Sequence, residues 1–186
     1  MKITIKDGVT KKFLTKEEVL KITQEQLPLA VLSRNYYSTI AAEISCFDKT
    51  VWNHFMWMVH PGKFLTQDWI LHEVPAEIYL QGKHQLKFWF SPFWPDSRRA
   101  MLIAALEKEV EKPWWKHRYD LLQLIGIRTG IRELQIPWMR ICSDWADFIL
   151  LLDDNYEGKH LTPGEVNRWF EGQPNYCPFG RFYPED

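Results

Sequence analysis

A chain of 186 residues, 46% hydrophobic and 25% charged, is long enough to bury one core and too apolar to remain disordered. Its 23 basic and 24 acidic residues leave a formal net charge of −1, and no Lys/Arg run exceeds a pair, which argues against a nucleic-acid partner. The cysteines Cys46, Cys142 and Cys177 lie far apart; they form no disulfide framework and no CxxC knuckle, and their odd number leaves at least one thiol free.

The N-terminal "MKITIKDGVTKKFLTKEE" has neither an apolar stretch nor a small-residue cleavage site, so no signal peptide is expected. The apolar runs "MLIAAL" and "FILLL" are too short to cross a bilayer. Together these predict a cytoplasmic protein without an integral membrane segment. Aromatics cluster in "FWFSPFW" and "PWWKHRY"; interleaving with Leu, Ile and Met favours a core role over a carbohydrate-binding surface.

In chain order, Thr15 with Glu18 forms a capping-box pair ahead of a short amphipathic helix carrying Val19, Ile22 and Leu27. "PLAVLS" reads as a buried strand and "STIAAEIS" as one or two helical turns. In "TVWNHFMWMVH" both parities are apolar, the pattern of a central strand covered on both sides. "HPGK" is turn chemistry, "FLTQDWILHEV" the return strand, and "AEIYL" and "HQLKFWF" two further strands. The period then changes. Asp96 or Ser97 is placed to cap a helix through "RRAMLIAALEKEVEK", and "RYDLLQLIGI" is a second helix with Gly126 at its end or a bend. A third, "ICSDWADFILLLDD", has Ile141, Trp145, Phe148, Ile149 and Leu152 on one stripe. The last, "LTPGEVNRWF", is capped by Thr162 with Glu165, with Pro163 at the first position. The tail "PNYCPFGRFYPED" is rich in Pro and Gly and is expected to be irregular. Strands first and helices mostly after them predict an α+β domain, with a small antiparallel sheet or partial barrel packed against helices. The chain divides into an N-terminal extension (1–27), a core (28–170) and a tail (171–186).

Cys142 stands at the first turn of an apolar helix. A free thiol has a pKa of about 8.5, and a helix N-terminus or a nearby imidazolium lowers it. First-turn backbone N–H groups can also hold an oxyanion during acyl transfer. A base is then needed. His54 lies in a strand so apolar that its ring needs a reason to be there, whereas His60 and His84 fall at turns and His117 and His160 in polar surroundings. The hairpin brings His72 and Glu73 beside the His54 strand. Either could orient the imidazole, but adjacent residues face opposite sides of a sheet, so only one can.

An early His strand "WNHFMWMV", a second strand with His or Glu, the helix "YDLLQLIGI" and a later "CSDWADFIL" resemble the circularly permuted, NlpC-type papain-like superfamily, whose branch includes lecithin retinol acyltransferase and YiiX-like hydrolases. "LTPGEV" matches the "TP" segment of such proteins, and the resemblance covers roughly residues 28–170. It implies a permuted papain-like fold, Cys142 as nucleophile and His54 as general base. Glu73 matches the YiiX-like third residue and His72 the acyltransferase-like one; the "YD" and "CSD" motifs tip the choice toward Glu73. No metal or organic cofactor is implied. The implied substrates are a peptide, a peptidoglycan fragment or a lipid-like acyl compound. Departures from the pattern are a longer "HPGKFLTQDW" hairpin and the bulky Phe55 after the His. Two alternatives stand beside this reading: a non-catalytic binding module on the same fold, and a metal site drawn from His54, His72 and Cys142, whose spacing is no recognised ligand pattern.

Overall fold

The computed structural model describes residues 3–6, 9–35, 50–81, 84–129, 131, 134, 139–156 and 161–183. Most of the apolar runs become strands: β1 (Ile3–Lys6), β2 (Val9–Leu14), β3 (Leu29–Asn35), β4 (His54–His60), β5 (Lys63–Gln67), β6 (Leu71–Pro75), β7 (His84–Phe90) and β8 (Cys177–Phe182). Among the described residues these form one mixed sheet in the order β1-β2-β8-β7-β3-β4-β5-β6. Only β2 and β8 run parallel. Helices α1 (Lys16–Leu20), α2 (Asp96–Val110), α3 (Leu121–Thr129) and α4 (Pro163–Gly172) accompany it, with a 3₁₀ helix at Cys142–Leu151. The chain is therefore α+β.

Both faces of the sheet are covered, as the double-parity apolar pattern of β4 requires. Phe55, Trp57 and Val59 enter one core with Trp145, Ala146 and Ile149 of the 142–151 segment, Leu102 and Leu106 of α2, and Phe170 of α4. Met56 and Met58 enter the other with Val19, Phe64, Tyr79 and Phe88. Burying side chains of this size stabilises by roughly 1.5–3 kcal/mol each, so the sheet anchors everything around it.

Several expectations are corrected. The return strand is two strands, because the chain bends at 68–70. "AEIYL" is a 3₁₀ turn at Ala76–Ile78, held where the Ala76 N–H donates to the Gly62 carbonyl at 2.8 Å. The tail contributes β8 to the middle of the sheet. Pro178 is tolerated there because the register with β7 shifts between Phe88 and Trp89, and Gly180 is required because a Cβ would meet Leu14 Cγ at 2.6 Å. Within the expected N-terminal extension, residues 3–6 and 9–14 supply two antiparallel strands that join the sheet. Pro95, not Asp96 or Ser97, is the N-cap of α2. Gly126 lies inside α3, where a Cβ would meet the Ile131 carbonyl at 2.5 Å. The capping box of Thr162 and Glu165 forms as expected, as does that of Thr15 and Glu18. "STIAAEIS", Cys46 and His160 lie outside the described residues.

Candidate active site

His54 opens β4, opposite Ser33 of β3, with only 16% of its side chain exposed. The alternation that sends Phe55 and Trp57 into one core sends His54 to the other face, toward Tyr79, whose ring lies parallel to the imidazole at a 6.4 Å centroid distance. Nε2 is 2.6 Å from Thr66 Oγ1 and 3.9 Å from Asp68 Oδ1. Nδ1 makes no hydrogen bond among the described residues. Burial pushes the imidazole pKa below its usual value, and the attraction of Asp68 opposes this. The resting ring is neutral.

Thr66 lies on the face of His54 and also pairs with the Tyr79 hydroxyl at 3.0 Å, which in turn donates to Asp68 at 3.4 Å. Behind them His84 Nδ1 sits 3.1 Å from the buried Ser33 hydroxyl, with burial and the neighbouring His54 driving its pKa down to about 4. A polar chain thus runs through an otherwise apolar layer, each buried member paired.

Glu73 does not join this group. It stands opposite Leu65, a residue of the Phe55 and Trp57 core, so parity carries it to the face away from His54. There it takes His60 Nδ1 at 2.5 Å and Lys63 Nζ at 2.7 Å. Burial raises its carboxyl pKa, but the hydrogen bonds from Lys63 and His60 and the attraction of their side chains outweigh the effect and hold it below the usual range. His72 stands opposite Thr66, on the His54 face, yet it reaches the pair only through Asp68, whose Oδ2 is 4.0 Å from Nε2. The carboxylate beside His54 is Asp68, in the bend at 68–70 that interrupts the single return strand the sequence predicts. A polar Asp in an otherwise strand-like run was the available signal.

Cys142 begins the 3₁₀ helix Cys142–Leu151 and is 1% exposed. Ten residues is long for this geometry. The start is fixed by Asp144, whose carboxylate accepts the Ile141 N–H at 2.9 Å and a Gln123 amide hydrogen at 2.8 Å. The Trp57 indole donates to the Trp145 carbonyl at 2.8 Å, and Trp145 donates to Gln67 of β5, so the segment is keyed to β4 and β5. Around Sγ are the Phe55 backbone N–H and the Tyr119 hydroxyl, at 3.9 Å. Tyr119 belongs to the "YD" motif, and Asp120 caps α3 by accepting the Gln123 N–H at 3.0 Å. The motif thus fixes a helix start and supplies a hydroxyl to the sulfur, a role that sequence reading missed.

The expected lowering of the thiol pKa does not occur. Burial pushes Cys142 up to about 11, outweighing the Phe55 N–H and the Tyr119 hydroxyl, and the nearby carboxylates Asp144 and Asp68 add to the rise. The thiol is protonated at neutral pH. No hydrogen bond joins it to His54; the sulfur faces the Phe55 backbone N–H, and the imidazole lies on the opposite face of β4, with Thr66 and Tyr79. The first-turn N–H groups of Cys142 and Ser143 are without partners among the described residues, as is the buried Ser143 hydroxyl. Further along the segment, Asp147 is driven up to about 7 by burial and by Asp144, against the pull of Arg140.

Among the described residues no three His, Cys, Asp or Glu side chains converge in a way that could hold a metal ion. Cys177 is a free, exposed thiol. No helix among the described residues is long and apolar enough to cross a membrane. In comparisons with known proteins no family model matches the chain, and no curated protein matches it significantly.

Proposed function

We propose that the protein is a thiol hydrolase or acyltransferase of the permuted papain-like kind, with Cys142 as nucleophile and His54 as general base. Asp68, with Thr66, takes the third position in place of Glu73 or His72. The carrying observation is the anchoring of His54 through Nε2 alone, to Thr66 and Asp68, on the residue next to the Phe55 N–H that faces Cys142 Sγ. That leaves Nδ1 as the proton acceptor. In the first step Nδ1 takes the thiol proton while sulfur bonds to the carbonyl carbon of an amide or ester. The amine or alcohol then leaves with the proton from His54, giving a thioester. Water or an acceptor amine, deprotonated by the same ring, attacks that carbonyl and releases sulfur to recover its proton. The unpartnered N–H groups at Cys142 and Ser143 are the candidate oxyanion donors. Asp68 holds the ring's tautomer and stabilises the imidazolium. The substrate class is a peptide or peptidoglycan-derived amide, with a lipid-like acyl compound as the competitor.

The test is incubation with a panel of activated esters and peptide amides, read by product release and by intact-mass detection of an acyl adduct. Wild type is expected to turn over and to carry an adduct that Cys142→Ala lacks. A Cys142→Ala protein retaining most of the activity would overturn the assignment.

A second reading, a binding module without chemistry, is favoured by the burial of Cys142 and its raised pKa. It predicts ligand retention by both wild type and Cys142→Ala, with no adduct in either.

A further inference from the structure

Between residues 112 and 118 the sequence reads KPWWKHR, with cations and no carboxylate in a chain whose overall charge is −1. The Trp114–His117 turn holds Trp114 and Trp115 outward, 60% and 53% exposed, their rings edge-to-face at 6.3 Å. Two large aromatic side chains left in water at adjacent positions are costly for a molecule that buries most of its other tryptophans. The Arg118 guanidinium lies 5.7 Å from the centre of the Trp114 ring, and neither Arg118 nor Lys116 has a carboxylate partner among the described residues. Lys112 is already taken by Glu109.

The apolar surface continues beyond the turn. The Trp69 carbonyl accepts the Tyr119 N–H at 2.9 Å, and Trp69, 63% exposed, packs edge-on against Tyr119 at 6.3 Å. On α3, Leu121, Leu122 and Ile125 share one face by their spacing, and each is at least 42% exposed. Asp120 caps this helix, and its own N–H donates to the Arg140 carbonyl at 3.1 Å, so the face is held in a fixed attitude beside the tryptophans. The nearby carboxylates are Asp68, next to Trp69, together with Glu109 and Glu111 on the α2 side.

We propose that this surface docks the protein on an anionic lipid bilayer, with Trp114, Trp115 and Trp69 at headgroup depth and Lys116 and Arg118 against the lipid phosphates. Tryptophan with flanking cations is the combination that suits a bilayer interface: the ring is apolar with one polar edge, and the long cationic stems reach upward while their heads stay wet. A protein partner could cover the apolar rings, but the unpartnered cations call for an anionic counterpart across the same plane. The inference does not depend on the thiol chemistry proposed above.

The test is co-sedimentation of the full chain with vesicles of phosphatidylcholine containing about a quarter phosphatidylglycerol, and with pure phosphatidylcholine. Wild type should bind the anionic vesicles about tenfold more strongly than the neutral ones. Trp114→Ala with Trp115→Ala should weaken this binding by about tenfold or more. Lys116→Glu with Arg118→Glu should erase the preference for anionic vesicles. Phe93→Ala, which removes an exposed ring outside this surface, should change nothing. Circular dichroism checks that each variant is folded. Failure of wild type to bind either vesicle, or binding that the double tryptophan variant leaves intact, would overturn the proposal. So would a self-association in sedimentation velocity that the double tryptophan variant dissolves, since the surface would then be an interface between copies. Vesicle binding is read without turnover, so its failure is distinct from failure of the catalytic reading.

Discussion

β4 begins and ends with a histidine, and each has a carboxylate beside it. At one end His54 is nearly enclosed, with Thr66 at 2.6 Å, Asp68 at 3.9 Å and a thiol arriving beside the next residue. At the other end His60, 36% exposed, is gripped between Glu73 at 2.5 Å and Glu107 at 2.9 Å, with Lys63 completing the cluster. The second pair is the tighter of the two by distance, and both of its ring nitrogens are occupied. The first pair has a free nitrogen. A histidine and a carboxylate side by side are therefore no mark of chemistry by themselves; what separates the two ends is that His54 keeps one ring nitrogen unoccupied and His60 keeps none.

The sharpest way to break this contrast is substitution at both ends under one assay. Cys142→Ala and His54→Ala should each lower turnover by about 10³-fold or more, and Asp68→Asn by about 10- to 100-fold. His60→Ala and Glu73→Gln should stay within about twofold. Full activity in Asp68→Asn with loss in Glu73→Gln would return the third role to Glu73 and refute the placement argued here.

The acid limb of the rate profile sharpens the same contrast. Burial lowers the pKa of His54 and Asp68 raises it, so under the proposed mechanism the ring would stay a competent base to a pH below the ordinary imidazole value of 6.5. In Asp68→Asn the opposing attraction is gone and the limb should move further toward acid, measured as the pH of half-maximal kcat/KM. A shift toward alkali would contradict the electrostatics of the site.

Stability should follow the same groups. His54 and His84 both have folded pKa values below 6.5, His84 at about 4, so the unfolded chain binds more protons in that interval. Their contribution is fully present above pH 6.5 and is lost as pH falls toward 4, with His84 accounting for about 1–2 kcal/mol once solvent screening is allowed for. Urea denaturation across this range should show a shallower acid loss in His84→Gln than in wild type. Cys142 adds a kinetic counterpart. With its thiol pKa near 11 and its side chain buried, it should alkylate more slowly than the exposed Cys177 at neutral pH in the folded protein, and comparably once unfolded. Peptide mass spectrometry after timed alkylation reads both rates.

The parts of this arrangement visible in the sequence are those fixed by local rules. The apolar run "PLAVLS", the double-parity apolar pattern of "TVWNHFMWMVH" and the segment "HQLKFWF" marked β3, β4 and β7, and the Thr162 and Glu165 pair marked the start of α4. The same rules pointed to His54 and Cys142 as residues out of keeping with their neighbours. Long-range pairing was not visible. β8 hides a strand behind Pro178 and Gly180, and both residues make sense only once the β7 register shift and Leu14 are in place. Asp68 lies inside the bend at 68–70, beside His54, and Glu73 lies in β6 beyond it, on the face away from His54. Periodicity carries the parity of a strand but not the place where the strand is interrupted. The raised thiol pKa was likewise hidden, because burial of a helix start depends on what packs over it. Here that is β4.

The smallest expected effect tests the outer end of β4. His60 sits at the register shift between Trp57 and His60, which carries it to the side of Glu73 and Lys63. Its partners are 27% and 48% exposed, so water screens the pairs, and holding several long side chains in one geometry costs entropy. His60→Gln keeps one hydrogen bond and should cost no more than about 0.5–1 kcal/mol in urea denaturation, shrinking as salt is added. A loss of several kcal/mol that persists at high salt would mean that the cluster holds β4, β5 and α2 together from outside. The contrast between the two ends would then be one of exposure rather than of role.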